Sequence, residues 1–192
     1  MSIVMVAYHI SELVGRLIIL VWEKKLGKRR KKTMPNIIAP SKEMLRSTQA
    51  KLRMVLVISR AHTGNVLVSA LAHTMPTLFV SVYSSQEALE VTEAIKPDVL
   101  VLESDFRDEL NGVELYERLH MQPGFNKIPA ILIGQLTPEQ HRSLVKRTVV
   151  NLPYPVELPD LQSTLETLLN IPRMPIRPDV MVAFKQSSPS PV

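Results

Sequence analysis

Five short apolar runs set the limits on what this chain can become: MVLVI at 54–58, TLFVSV at 77–82, DVLVLE at 98–103, AILIG at 130–134 and TVVNL at 148–152. They are rich in β-branched residues and apolar at consecutive positions rather than alternate ones. A strand of that kind has both faces buried, as in a parallel sheet covered by helices on either side. The stretches between them read as those helices. Asn65–His73 follows the turn residue Gly64, and Ser85–Ile95 opens with the capping-box spacing Ser84 to Glu87. Val113–Met121 follows Asn-Gly, and TPEQHRSLVKR has a Thr137 cap with Pro138 at its first helical position. Asp160–Leu169 places Leu161, Leu165 and Leu168 on one helix face. Five strand–helix units over 51–171 predict an α/β, flavodoxin-like, doubly wound domain. Its sheet has five parallel strands in the order 2-1-3-4-5, with helices on both faces.

The rest of the chain divides around this body. Residues 1–23 are apolar and predict an N-terminal helix, membrane-associated or packing. Residues 24–50 are basic, then polar, with Pro35 and Pro40, and read as a linker. Residues 172–192 carry five prolines and end in QSSPSPV, the composition of a disordered tail. These 21 residues are too few for a DNA-binding or enzymatic output domain. The net charge of +5 is local: residues 1–33 hold eight Lys/Arg against two Asp/Glu, and the remainder holds 15 against 16. That distribution gives no nucleic-acid footprint over the domain. With no cysteine, thiolate metal sites, disulfides and a cysteine nucleophile are excluded. The five histidines lack metal-ligand spacing, and neither a phosphate-binding glycine loop nor a G-x-S-x-G elbow is present. No metal and no cofactor is expected.

Residues 2–22 are long enough to cross a bilayer. Ser2, His9, Arg16 and Glu23 recur every seven residues with Glu12 beside them, so the polar groups form one stripe. Seven basic residues follow between 24 and 32. Three readings stay open: a transmembrane anchor with the domain in the cytoplasm, an interfacial helix with residues 1–32 on an anionic membrane surface, or a helix packed on protein. The third reading includes, as its other form, a start-site artefact in which the protein begins at Met34.

In a doubly wound sheet, function gathers where the strands end. The runs end in Ser59 and Arg60, in Glu103, Ser104 and Asp105, in Gly134 and Gln135, and in Leu152 and Pro153. The stretch KPDVLVLESDFRDELNG (96–112) with the following VELYERL resembles the receiver domain of bacterial two-component response regulators, the CheY-like family. IPAILIG resembles the fourth strand of that family, and NLPYPVELPDL its fifth strand and last helix. The similarity spans roughly 52–171.

The resemblance implies a phosphoacceptor carboxylate, two acidic residues for Mg²⁺, a Thr or Ser, and a Lys. On the matching positions stand Glu103, then Ser59 and Arg60, then Gly134, then Leu152. Every reactive position departs, so the resemblance implies a degenerate pocket and a non-catalytic pseudo-receiver acting by protein–protein contact in two-component signal transduction. Arg60 is expected to pair with Glu103 as a fixed cation. The loop from Glu103 to Asn111 is one residue longer than the family's, which leaves Asp105, or Glu103 itself, as the acceptor of an atypical phosphorylated regulator. A membrane-tethered scaffold is the other alternative. The partners implied are a histidine kinase or another regulator, or a second copy in a homodimer. Leu136, Leu144 and Tyr154 are expected on the interaction face, with a core role open for Leu144.

Overall fold

Each of the five apolar runs is a strand, and all five run parallel. The computed structural model describes residues 36–38, 53–145 and 147–171. In chain order its strands are β1 (Asn36–Ile38), β2 (Arg53–Ile58), β3 (Thr77–Val82), β4 (Val99–Glu103), β5 (Ala130–Ile133) and β6 (Val149–Leu152). The helices are α1 (Ala61–Ala72), α2 (Ser85–Ile95), α3 (Gly112–His120), α4 (Pro138–Leu144) and α5 (Leu158–Leu169). The sheet order is β1-β3-β2-β4-β5-β6. With β1 set aside, this is the 2-1-3-4-5 arrangement of a flavodoxin-like fold.

Side-chain alternation divides every central strand between two cores. Val55, Val57, Val99, Val101, Ile131 and Ile133 face one side, where α1 and α5 contribute Leu67, Val68, Leu71, Leu161 and Leu165. Leu56, Ile58, Leu100, Leu102 and Leu132 face the other, against Val91 of α2, Leu115 and Leu119 of α3 and Leu144 of α4. Each fully buried aliphatic side chain contributes about 1.5–3 kcal/mol, which is why the runs are apolar without interruption.

Local chemistry starts and stops the helices. Asn111 accepts from the backbone N–H of Val113 and Glu114, and the Glu114 carboxylate returns to the Asn111 N–H. Thr137 and Gln140 form the same reciprocal pair on α4. Ser84 caps α2 through the Glu87 N–H, but the Glu87 carboxylate accepts from Tyr83 N–H rather than from its own cap. Helix α1 begins at Ala61, four residues before the expected start, so Gly64 lies inside it rather than in a turn. A Cβ on Gly64 would come 2.6 Å from Ser59 Oγ and 3.3 Å from the Tyr83 ring. Close packing, not a turn, requires glycine there.

Strand β1 corrects the reading of 24–50 as linker throughout. Asn36–Ile38 pairs antiparallel with β3, making a sixth strand. Ile37 and Ile38 point to opposite cores and extend both. The added strand covers the edge of the fully buried β3, which would otherwise offer unpaired backbone groups. The remaining residues of 24–50, the apolar segment 1–23 and the tail 172–192 lie outside the described residues. Among the described residues, no helix is long and apolar enough to cross a membrane.

The Pro97-Asp98 pair has a structural role. Asp98 accepts from Met54 N–H at 2.9 Å and from Arg53 Nη1 at 3.0 Å, which sets the start of β2 against β4. Asp98→Ala should therefore lower stability by about 1–2 kcal/mol, measured by chemical denaturation with an unchanged m-value.

Candidate functional site

Strand register brings the first two site residues together. Ile58 lies opposite Leu102, so Ser59 and Arg60 leave β2 beside Glu103, the last residue of β4. Glu103 is 1% exposed, and an isolated carboxylate there would be costly. It is fully partnered instead. Oε1 accepts from Arg60 Nε at 3.0 Å, from Arg60 Nη2, and from the Tyr154 hydroxyl at 2.7 Å; Oε2 accepts from the Arg60 backbone N–H at 3.0 Å. Arg60 is also the residue before the first turn of α1, which has no side-chain cap. The carboxylate thus sits at the positive end of that helix.

The electrostatics follow from these contacts. Burial pushes the Glu103 carboxyl upward, but the bonds from the Arg60 side chain and backbone and from Tyr154 outweigh it and hold the group below the ordinary carboxylate range. The bond to Glu103 raises Arg60 further above neutrality, against the smaller effect of its burial. Burial first, then donation to Glu103, raises the Tyr154 phenol. At neutral pH the cluster is therefore carboxylate, guanidinium and neutral phenol.

Tyr154 is the residue that counting along the sequence did not place in the pocket. The position matched to the family's lysine was Leu152, which ends β6 opposite Ile133 and packs, half-buried, on the α1/α5 core. The side chain that reaches Glu103 belongs to Tyr154, in the loop after β6. To do so it passes across the end of β5, and Gly134 makes room. A Cβ there would lie 3.2 Å from the Tyr154 ring and would collide with Ser104 Oγ, and the backbone has φ +121°. The Asn151 amide holds this turn by donating to the carbonyls of Leu132 and Gly134, each at 2.9 Å. An aromatic residue two positions after the strand, between two prolines, was the available signal.

The remaining residues separate. Ser59 is buried, and its hydroxyl donates to the Arg60 carbonyl at 3.2 Å. Asp105 is half exposed, 3.7 Å from Arg60 Nη2, at the outer edge of the same guanidinium. Asp108 accepts from both the N–H and the hydroxyl of Ser85 at 2.5 and 2.7 Å. The Ser85 hydroxyl is the main reason its carboxyl is held low. Leu144 is buried and Leu136 half-buried against the α2/α3/α4 core, while the exposed apolar residue at the end of α4 is Val145.

A divalent cation does not fit this donor set. Mg²⁺ takes several oxygens in an octahedron, whereas Arg60 occupies the face of Glu103 that would supply them. Among the described residues, no three His, Asp or Glu side chains are placed to hold a metal ion.

Comparison with solved structures identifies the fold. The chain superposes on the signal receiver domain of a DNA-binding response regulator from Colwellia psychrerythraea with a TM-score of 0.55 at 20% identity, covering 62% of this chain and 98% of that one. The receiver domain of a signal transduction histidine kinase from Syntrophus aciditrophicus gives 0.55 at 23% identity, over 62% and 90%. The chemotaxis protein CheY4 of Vibrio cholerae gives 0.54 at 18%, over 62% and 99%. The α/β body is a receiver-domain fold. No protein-family model matches the sequence, and no curated protein matches it.

Two sets of substitutions test the cluster. Arg60→Ala leaves Glu103 buried without its cation and should cost about 3–5 kcal/mol. Glu103→Gln should cost less, because the half-exposed Arg60 can turn to water, and Tyr154→Phe about 1–2 kcal/mol. An unchanged melting temperature in Glu103→Gln would remove the pairing as a stabilising contact. Because the Glu103 pKa is lower folded than unfolded, its contribution is full above the ordinary carboxylate value of about 4.3 and is lost as pH falls through the depressed one. Denaturation between neutral pH and acid should show that loss in the parent protein and a shallower one in Glu103→Gln. Separately, Gly134→Thr should destabilise rather than restore a hydroxyl, read as a lower melting temperature, because of the positive φ and the Ser104 and Tyr154 contacts.

Proposed function

We propose that this chain is a pseudo-receiver: a non-enzymatic signalling domain that acts by protein–protein contact within two-component-type signalling and is not switched by phosphorylation. The observation that supports this best is the occupation of Glu103 by Arg60 and Tyr154. Phosphoryl transfer to a carboxylate needs an open oxygen and a cation that can neutralise the developing charge. Here both oxygens are engaged, and the cation is a side chain already committed to the carboxylate. Arg60 thus stands as a permanent charge where a metal-dependent switch would need an exchangeable one.

The partners proposed are a histidine kinase or another regulator, with a second copy of the chain as the homodimeric case. The face made by α4, β6 and α5 is the one proposed for contact. Leu136, Leu144 and Tyr154 are largely spent on the core and on Glu103, so Val145 is its exposed apolar group. Attachment of the domain to the inner face of an anionic membrane through residues 1–32, a tethered scaffold, rests on the sequence of that segment.

The test is incubation with Mg²⁺ and a small phosphodonor, read by intact mass. No gain of a phosphoryl group is expected. A gain mapped to Glu103 or to Asp105, the carboxylate at the outer edge of Arg60, would overturn the proposal in favour of an atypical phosphorylated regulator.

A further inference from the structure

The end of the sheet opposite Glu103 carries a second cluster of polar side chains. Helix α3 leaves the carboxyl end of β4 and runs back, so His120, its last residue, lies toward the amino ends of the strands. Arg147 stands at the same end, two residues before β6. Backbone bonds fix its place: its N–H donates to the Leu144 carbonyl, and its carbonyl accepts from Val149 N–H, each at 2.9 Å. The guanidinium carbon of Arg147 lies 5.7 Å from the centroid of the Tyr116 ring, a cation-π contact. Tyr116 is itself buried, and its hydroxyl is 3.5 Å from His120 Nδ1. The tyrosine and histidine rings are 5.6 Å apart between centroids.

The charge of this cluster is not balanced by the chain. Arg147 Nη1 is buried and has no hydrogen-bond partner among the described residues. The arginines in ion pairs there are Arg53 and Arg60, and no carboxylate lies within ion-pair distance of Arg147. Buried polar groups are almost always hydrogen-bonded, and a charged donor left unpaired is the most costly kind. His120 is held below the ordinary imidazole range, by burial first and by the Arg147 guanidinium second. Burial raises the Tyr116 phenol, with Arg147 acting the other way. At neutral pH the cluster is therefore a guanidinium, a neutral imidazole and a neutral phenol, with one uncompensated positive charge. Arg147 and His120 are only half-buried, so the cluster is open to solvent on one side.

We propose that Arg147, with His120 and Tyr116 beside it, binds an oxyanion, a carboxylate or phosphate group, at the amino end of the sheet. A guanidinium presents its N–H groups in a planar fork that matches two oxygens of either group. Its buried arm makes such a bond in a desolvated setting, where a charge-assisted bond is stronger than in water. The Tyr116 ring holds the fork in one orientation, and the imidazole supplies a further polar contact at its edge. That chemistry has two sources, a free oxyanion and an acidic side chain of another protein. Glu103 takes no part, so the inference does not depend on whether the domain is phosphorylated.

The test follows the imidazole Hε1 resonance of His120 in the full chain, assigned by its loss in His120→Gln, at constant pH and ionic strength. Reading His120 rather than total binding separates this cluster from the basic run at 24–32. Inorganic phosphate replaces chloride in one titration, and a tetraglutamate peptide does so in the other. A saturable shift is expected. Saturation by phosphate supports a free oxyanion, and saturation by the peptide alone supports an acidic side chain. Arg147→Gln should weaken the binding by about tenfold or more, the worth of one charge-assisted hydrogen bond. Arg147→Lys, which keeps the charge but loses the fork, should also weaken it and serves if the glutamine variant does not melt like the parent. Arg118→Gln removes an exposed charge from α3 and should leave the affinity unchanged. No saturable shift with either probe overturns the proposal and leaves Arg147 as a packing group on Tyr116. Equal weakening in the Arg147 and Arg118 variants overturns it in favour of diffuse attraction to a basic surface.

Discussion

The burial of one carboxylate organises the functional end of this domain. Glu103 terminates a strand that is covered on both faces, so its charge cannot reach water and must be met by protein. Three groups outside its own strand meet it: the backbone N–H of Arg60, two residues beyond β2, the guanidinium of that same residue, and the phenol of Tyr154 from beyond β6. The carboxylate thereby ties together strands that are not adjacent in the sheet. Only the Arg60 backbone N–H reaches Oε2, while Oε1 is shared by the guanidinium and the phenol, so losing the guanidinium leaves a buried charge without its cation.

The same arrangement explains why the glycines and small polar residues around it are what they are. Gly134 lets the Tyr154 ring cross the end of β5, and Ser104 fills the space its missing side chain leaves. Gly112 permits the loop from β4 to return so closely that a Cβ would collide with the Glu103 carbonyl. Asn111 then caps the start of α3. In a pocket built this way both oxygens of the carboxylate are occupied by side-chain or backbone donors of the chain itself.

Much of this was legible residue by residue. The five apolar runs became the five parallel strands because unbroken β-branched segments have no polar face to turn outward. The Thr137 cap with Pro138 marked the start of α4, because a side-chain acceptor there satisfies a free backbone donor of the first turn. The adjacency of Arg60 and Glu103 followed from strand order, since the ends of neighbouring parallel strands must lie together. Strand β1 was not legible. Three residues in a basic and proline-containing stretch show no periodicity, and only the exposed edge of β3 gives them a reason to be extended. Tyr154 was missed for a related cause: its loop runs past the strand end, and position along the chain does not say which side chain turns back across Gly134.

By itself the sequence determined the architecture, because the hydrophobic pattern that makes buried parallel strands is a local property that survives without coordinates. The tertiary structure decided which groups share the buried carboxylate and which edge of the sheet is closed. Those depend on distances between residues far apart in the chain, here 43 from Arg60 to Glu103 and 51 from Glu103 to Tyr154. Only the packing of the two cores around a twisted sheet brings such residues into contact.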